Sequence, residues 1–369
     1  MKKTIVTIIT ILLCQITWAQ LGGSSTYKAL SLSPSPRISA LGGSALGVYD
    51  DDINLALDNP AFLQADIHRQ LSFNNNFYFA DINYGTVSYA HHWERFGTFL
   101  ASMKYVAYGS MVGSDASGNV TGNFRAGDYV MTFGYGGNYQ EKWLYGTNFK
   151  LIYSHLETYN SVGVAADFSG AYHNADKNFT FSAIIKNAGF QLKAYTDDNK
   201  EKLPLEVSLG LSKRFENIPV RLNIVVHNLQ KPAIAYNNPN PVNSTNIFGE
   251  SEQKDATVVD QIFRHFIFGA EIDIAKPLSV RFGYNHLIRQ ESSLPSKKGL
   301  AGVTVGTGIH IRQFNIDYGF AKYHAAANIH HLGITVKLEE FLGSNKPTYK
   351  KQKDQTKELL NRENLIDED

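Results

Sequence analysis

The sequence predicts an all-β protein: a 14-stranded antiparallel transmembrane β-barrel. Three observations point there. From Gln70 onward apolar residues recur at every second position, the period that puts alternate side chains on opposite faces of a strand. Phe268, Ala270, Ile272 and Ile274 alternate with Gly269, Glu271 and Asp273. Leu278, Val280, Phe282 and Tyr284 alternate with Ser279, Arg281, Gly283 and Asn285, and Phe314, Ile316, Tyr318 and Phe320 repeat the pattern. Second, many of these stretches reach the roughly 9–11 residues that cross a bilayer at a tilt. Third, tight connections alternate with longer ones, the asymmetry of outer-membrane barrels. A soluble sandwich also alternates, but its polar face meets outside water and its strands are usually short.

Residues 1–19 read as a secretory signal. Lys2 and Lys3 supply the positive end, residues 4–13 the apolar core, and Ala19 the small residue before a cut that leaves Gln20 first. The core is too short to span a membrane as an anchor. Cys14 is the only cysteine, and Leu13 before it is too large for a typical lipoprotein cleavage site. A mature chain without cysteine suits an exported protein that needs no disulfide. Residues 20–68 are irregular: Pro34 and Pro36 break regular structure, and Gly42-Gly43 mark a turn. Asp50, Asp51 or Asp52 can cap a short helix over 53–57, because a carboxylate accepts the orphan N–H groups of a helix start. Asn59-Pro60 ends that helix.

Candidate strands then fall at 69–79, 82–92, 96–109, 128–140, 143–158, 161–173, 179–192, 203–215, 218–229, 260–274, 278–290, 299–311, 313–323 and 328–338. An even number suits a closed antiparallel barrel. The connections 109–128, 191–203, 229–260 and 289–299 are the long ones. Trp93, Phe96, Trp143, Phe179 and Phe215 cluster at the tight-turn side and read as an interfacial girdle. His331, Gly333, Val336 and Leu338 resemble the terminal signal read by the barrel-assembly machinery. Residues 339–369 read as a charged periplasmic tail with a helix near 354–365.

Composition narrows the function. The 369 residues hold 35 Lys+Arg and 34 Asp+Glu, a net charge of +1. That balance gives no reason to expect nucleic acid as a partner. Aromatics make up 12% and glycines number 30, a mix that suits strands and turns. Asn59-Pro60-Ala61 occurs in water channels, but those carry two copies among several apolar helices, which this chain lacks. Ser25 and Lys28 match S-x-x-K, yet the Lys-Thr-Gly companion is missing. His91-His92 and His330-His331 are adjacent pairs on strands, so their side chains point to opposite faces and cannot chelate together. Helix capping accounts for the aspartate run more cheaply than calcium. Arg281, Glu271, Asp273 and Lys337 on the lumen face call for partners among themselves or in a plug. With no nucleophile–base constellation, phosphate loop or metal cluster, the reading is a non-enzyme without catalytic, metal or cofactor residues.

The stretch SSTYKALSLSPSPRISALGGSALGVYDDDINLALDNPAFL, with Ala40-Leu-Gly-Gly43, the acidic run and Asn59-Pro60-Ala61, ahead of fourteen strands, resembles the FadL-type outer-membrane barrels. That resemblance implies that residues 20–68 form a hatch folded into the lumen of a barrel spanning 69–338, with Asp50, Asp51, Asp52, Asn59, Pro60 and Ala61 as the hatch motif. Over residues 24–63 the chain more closely resembles the PorQ branch of the type IX secretion system, whose sister PorV branch shares the hatch and strand count. The PorQ-like resemblance implies a Bacteroidetes-type scaffold of the attachment complex. Such a barrel would hold a PorZ-like surface protein beside a PorU-like sortase and a PorV-like barrel, amid outer-membrane lipid and lipopolysaccharide. Both termini would be periplasmic and the long loops extracellular. The loop 229–260 would dock the partner through Pro232, Tyr236, Ile247 and Phe248, with 109–128 beside it. The alternative is a FadL-like uptake channel for hydrophobic small molecules, which would want a continuous apolar pocket leading to a lateral gap.

Overall fold

Fourteen strands close on themselves, each paired antiparallel with its neighbour in sequence and the first with the last. They are β1 (Gln70–Phe77), β2 (Asn83–Trp93), β3 (Gly97–Ser114), β4 (Val120–Tyr139), β5 (Trp143–Leu156), β6 (Tyr159–Asn174) and β7 (Phe179–Lys193). There follow β8 (Glu206–Arg214), β9 (Val220–Val226), β10 (Phe266–Ala275), β11 (Leu278–Asn285), β12 (Val303–Ile311), β13 (Phe314–His324) and β14 (Ala327–Lys337). The computed structural model describes residues 25–78, 81–115, 117–196, 199–235, 257–292, 300–324 and 327–341. The expected signal at 1–19, the expected tail beyond residue 341 with its expected helix near 354–365, and Tyr236, Ile247 and Phe248 lie outside the described residues. Among the described residues no helix is long and apolar enough to cross a membrane.

The alternation read from the sequence is the wall. Phe73, Val87, Met131, Phe133, Phe149, Phe282 and Ile334 are exposed on the outer face, as a lipid-facing band requires. Their neighbours in sequence point inward and are buried: Ser72, Asn74, Ser88, Thr132, Asn148, Arg281 and Thr335. The seam is in register over eight pairs, from Gln70 opposite Lys337 to Phe77 opposite His330. Six tight turns gather at one end, which also receives residues 69 and 338; the longer connections gather at the other, together with the two-residue turn 157–158. At the turn end Trp93, Phe96, Trp143 and Phe215 are exposed, and Trp93 meets Phe99 edge-on at 5.1 Å.

Inside lies the non-strand segment 25–68. It contains α1 (Pro36–Ala40), α2 (Ile53–Asp58) and short 3₁₀ turns. Its residues Ile38, Leu46, Ile53, Leu55, Phe62 and Leu63 are almost fully buried. Backbone packs against backbone where the wall offers glycine. A Cβ on Gly283 would stand 2.1 Å from the Gly42 nitrogen, and one on Gly146 would stand 2.1 Å from the Pro60 carbonyl oxygen.

Four expectations need correction. The stretch 109–128 is not an irregular loop: β3 and β4 run on to Ser114 and Val120 and pair with each other as far as that. Their outer partners stop earlier, β2 at Asn83 opposite Ala107 and β5 at Leu156 opposite Ala126. Residues 110–125 therefore form a two-stranded ribbon standing clear of the wall. The expected strand start at 260 is helical instead: α3 (Val258–Phe263) is capped by Thr257, whose hydroxyl accepts from the Asp260 N–H. The expected strand end at 290 also becomes a helix, α4 (His286–Ser292), where the Asn285 side chain accepts from the Ile288 N–H at 3.1 Å. In both places local capping overrides an apolar spacing that suits either period. Leu338 leaves the final strand for a 3₁₀ turn (Leu338–Glu340).

Candidate functional site

The lumen has two halves. The half nearer the tight turns is filled by the hatch and held by ions. Arg37 on α1 forms a fork with Glu271 on β10 at 3.1 and 2.9 Å. It makes a second fork with Asp50 at 3.0 and 2.6 Å and reaches Asp52 at 3.1 Å. Arg221 on β9 contacts Asp50 at 2.8 Å and Glu271 at 3.1 Å. Arg281 on β11, fully buried, donates to Glu271 at 2.8 Å and to Asp317 on β13 at 2.5 Å. Three guanidinium groups thus face four carboxylates, with the planar forks that suit Arg to this task. Burial pushes the Asp50 carboxyl up, but Arg37 and Arg221 outweigh it and hold it well below the usual carboxylate range. For Asp52 burial prevails over Arg37 and its pKa is raised.

Each aspartate of the run has its own partner. Asp52 caps α2 by accepting from the Asn54 N–H at 2.9 Å. Asp50 belongs to the ion network, and Asp51 pairs with Lys337 at 2.6 Å. Asn59 accepts from the Ala61 N–H at 3.2 Å and donates to the Leu46 carbonyl at 2.9 Å, so it ties two hatch turns together. Pro60 opens the turn that presses on Gly146, and the Ala61 N–H also donates to Ser169 at 2.8 Å. Asp58, unremarked in the sequence, accepts from the Ala45 N–H at 2.8 Å and from Ser44 at 3.0 Å, and forms an ion pair with Lys186 of β7.

The histidine pairs do split across the wall. His331 is buried and meets the Ser39 hydroxyl at 2.9 Å, while His330 lies outside against Tyr318. His92 contacts Thr98 at 2.8 Å, and the His91 ring lies tilted against Trp93 at 4.4 Å. Gly333 faces Asn74 and Pro36, and Val336 sits opposite Leu71 across the seam. Pro232 lies just beyond β9, before the undescribed part of its loop. Among the described residues no group of three or more His, Cys, Asp or Glu could hold a metal ion.

The other half is a chamber of about 730 Å³ between the hatch and the loops. Hatch residues Gly42, Ser44, Leu57 and Asp58 form its floor, and loop residues Lys202, Leu203, Asn228 and Lys231 border it. Lys104, Lys150 and Lys186 project from the wall. Lys150 binds Asp167 and Asn187, both at 2.8 Å. Lys104 donates to the Leu32 carbonyl at 2.8 Å. Leu30, Val130, Leu203 and Ile267 add apolar patches. Sequence reading missed the chamber lysines, which are scattered over three strands and carry no local motif.

No family model and no curated protein matches the chain. Solved structures do. The Pseudomonas putida toluene transporter TodX aligns with 82% of this chain and 96% of its own at 12% identity and a TM-score of 0.50. The Ralstonia pickettii toluene transporter TbuX aligns at 11% identity over 84% of this chain and 98% of its own, with a TM-score of 0.49. A Pseudomonas aeruginosa FadL homologue follows at 9% identity, 82% and 98% coverage, and 0.45. At such identity the TodX likeness shows the fold alone, a closed 14-stranded antiparallel β-barrel of FadL type. None of these matches singles out the PorQ or PorV branch.

Proposed function

We propose that the protein is an outer-membrane uptake barrel in its closed state, with the chamber as the place where a small solute is first held. The observation that carries this is the divided lumen, a ligand-sized chamber above a hatch tied to the wall by buried ion pairs. The FadL-type fold, shared with toluene transporters, supports the same reading. The chamber is not a continuous apolar pocket, which argues against transferring the neighbours' substrates. Reconstitution into liposomes tests it. Wild-type vesicles should be nearly tight to small sugars, and Arg37→Ala, which breaks the network, should make them leak. Vesicles that stay equally tight, from protein that still runs as a folded barrel, would remove uptake through the hatch.

A second reading is the type IX secretion scaffold. Two observations favour it: the likeness of residues 24–63 to the PorQ branch, and the ribbon 110–125, which projects from the loop end with Val112 and Val120 exposed. In this reading the turn end with both termini faces the periplasm and the ribbon faces outward. A PorZ-like surface protein docks on the ribbon and the 229–260 loop, beside a PorU-like sortase and a PorV-like barrel. Co-purification in mild detergent separates the readings. A barrel that purifies alone, from cells whose cargo anchoring survives its deletion, excludes the scaffold.

A further inference from the structure

The chamber is more cationic than a site for hydrophobic solutes should be. Six lysines line it, Lys28, Lys104, Lys150, Lys186, Lys202 and Lys231, against three acids, Asp58, Glu206 and Glu291. Asp58 is engaged by Lys186, and Lys150 is neutralised from behind by Asp167. Lys104 is bonded to backbone carbonyls of Ala29 and Leu32. Among the described residues no carboxylate lies within ion-pair distance of Lys28, Lys104, Lys202 or Lys231. Like charges gathered without counterions repel one another and favour an anion between them.

A second observation points the same way. Two buried polar atoms in the chamber wall, His227 Nε2 and Thr86 Oγ1, have no hydrogen-bond partner. His227 and Thr86 are 6% and 1% exposed. His227 Nδ1 is occupied by the Asn228 amide at 2.6 Å. That leaves Nε2 as the polar atom of the ring without a partner. A buried polar atom left unmatched is costly, and a polar ligand entering the chamber would relieve it.

The lysines also stand at two levels. Lys104 and Lys186 lie where the wall meets the hatch, one on the Leu32 carbonyl and the other on Asp58, while Lys28, Lys202 and Lys231 lie on the hatch start and the loops. A single carboxylate would engage one level only. We infer that the chamber binds a small hydrophilic polyanion, a solute carrying two or more phosphate or carboxylate groups. This rests on the chamber being a ligand site and not on passage through the hatch.

Calorimetry on the full chain in detergent tests it, with inorganic pyrophosphate and citrate as probes, sucrose as the neutral control and dodecanoate as the singly charged apolar control. Pyrophosphate or citrate should bind, weaken as salt is raised, and lose at least tenfold in affinity in the Lys28→Gln, Lys231→Gln double variant. Both lysines sit at the chamber's rim, so the variant should keep the gel mobility of a folded barrel. Absence of binding by both polyanions, an unchanged affinity in the folded variant, or displacement of pyrophosphate by dodecanoate at equal concentration would each overturn the proposal. Polyanion binding with Arg37→Ala vesicles that stay tight would sink the uptake reading alone; Arg37→Ala leakage without polyanion binding would sink this one.

Discussion

Arg37 sets the energetic character of the hatch. A guanidinium with three carboxylate partners, buried to 6% exposure, replaces a large desolvation cost with ion pairs. Removing it leaves Asp50, Asp52 and Glu271 short of positive charge in a buried site. Arg37→Ala should therefore cost about 3–5 kcal/mol of hatch stability, read as protease sensitivity of residues 25–68 while the barrel wall survives. Asn59→Ala removes a cap and a cross-tie and should cost less, about 1–2 kcal/mol, with reduced folded yield. His68 supplies a pH signature. Burial, with help from His91 and Arg69, pushes its pKa down to about 4, and its Nδ1 accepts the His92 N–H at 3.0 Å. An imidazole that resists protonation when folded contributes stability above its ordinary value near 6.5, and that contribution is lost as the pH falls toward 4. Asp50, also depressed, adds a second loss below about pH 4; Asp52, raised, acts in the opposite sense. Urea unfolding should weaken in two steps on acidification. His68→Gln, whose amide oxygen can still accept from His92, should shrink the step between 6.5 and 4, to which His227, also lowered by burial, contributes, and leave the lower one.

The strands were legible because their signal is local. Phe268 through Ile274 announces a two-sided strand with no knowledge of what faces it, and the same holds around the wall. Elements whose form depends on a neighbour were not legible. Residues 110–125 contain the turn-prone Asp115, Ser117 and Gly118, which suggest a loop; they make only the turn, and pairing of β3 with β4 carries the ladder up to Ser114 and Val120 on either side of it. Val258-Val259 and Leu287-Ile288 fit a strand or a helix until Thr257 and Asn285 cap them. The helix over 53–57 was readable since its cap lies beside it. The Arg37–Glu271 contact was not, because 234 positions separate the two residues. At this scale the ribbon makes a sharp prediction. Replacing residues 110–125 by a tight turn removes no pairing with β2 or β5, so the barrel should fold at normal yield and keep its heat-modifiable migration. Under the scaffold reading the same deletion should release the surface partner into the medium; retention of that partner would rule the ribbon out as its dock.

For the molecule as a whole, the closed ladder and the packed hatch are two statements of one geometry. Pro36 lies against the two strands made last: its carbonyl oxygen would be 2.7 Å from a Cβ on Gly319 of β13, and its ring carbons 3.0 Å from one on Gly333 of β14. The same β14 closes the seam by pairing with β1. The hatch thus serves as the surface on which the final strands come to rest, which ties biogenesis to the plug. A nascent wall with an absent or displaced hatch presents its terminal strands with an empty interior, so closure and plugging should proceed as one kinetic event. Gly333→Val, which adds bulk where Pro36 and Asn74 must fit, should accumulate an unsealed intermediate during insertion. Pulse-labelled cells would show it as a slow conversion from the heat-insensitive to the heat-modifiable form, whereas wild-type conversion speed would break the link.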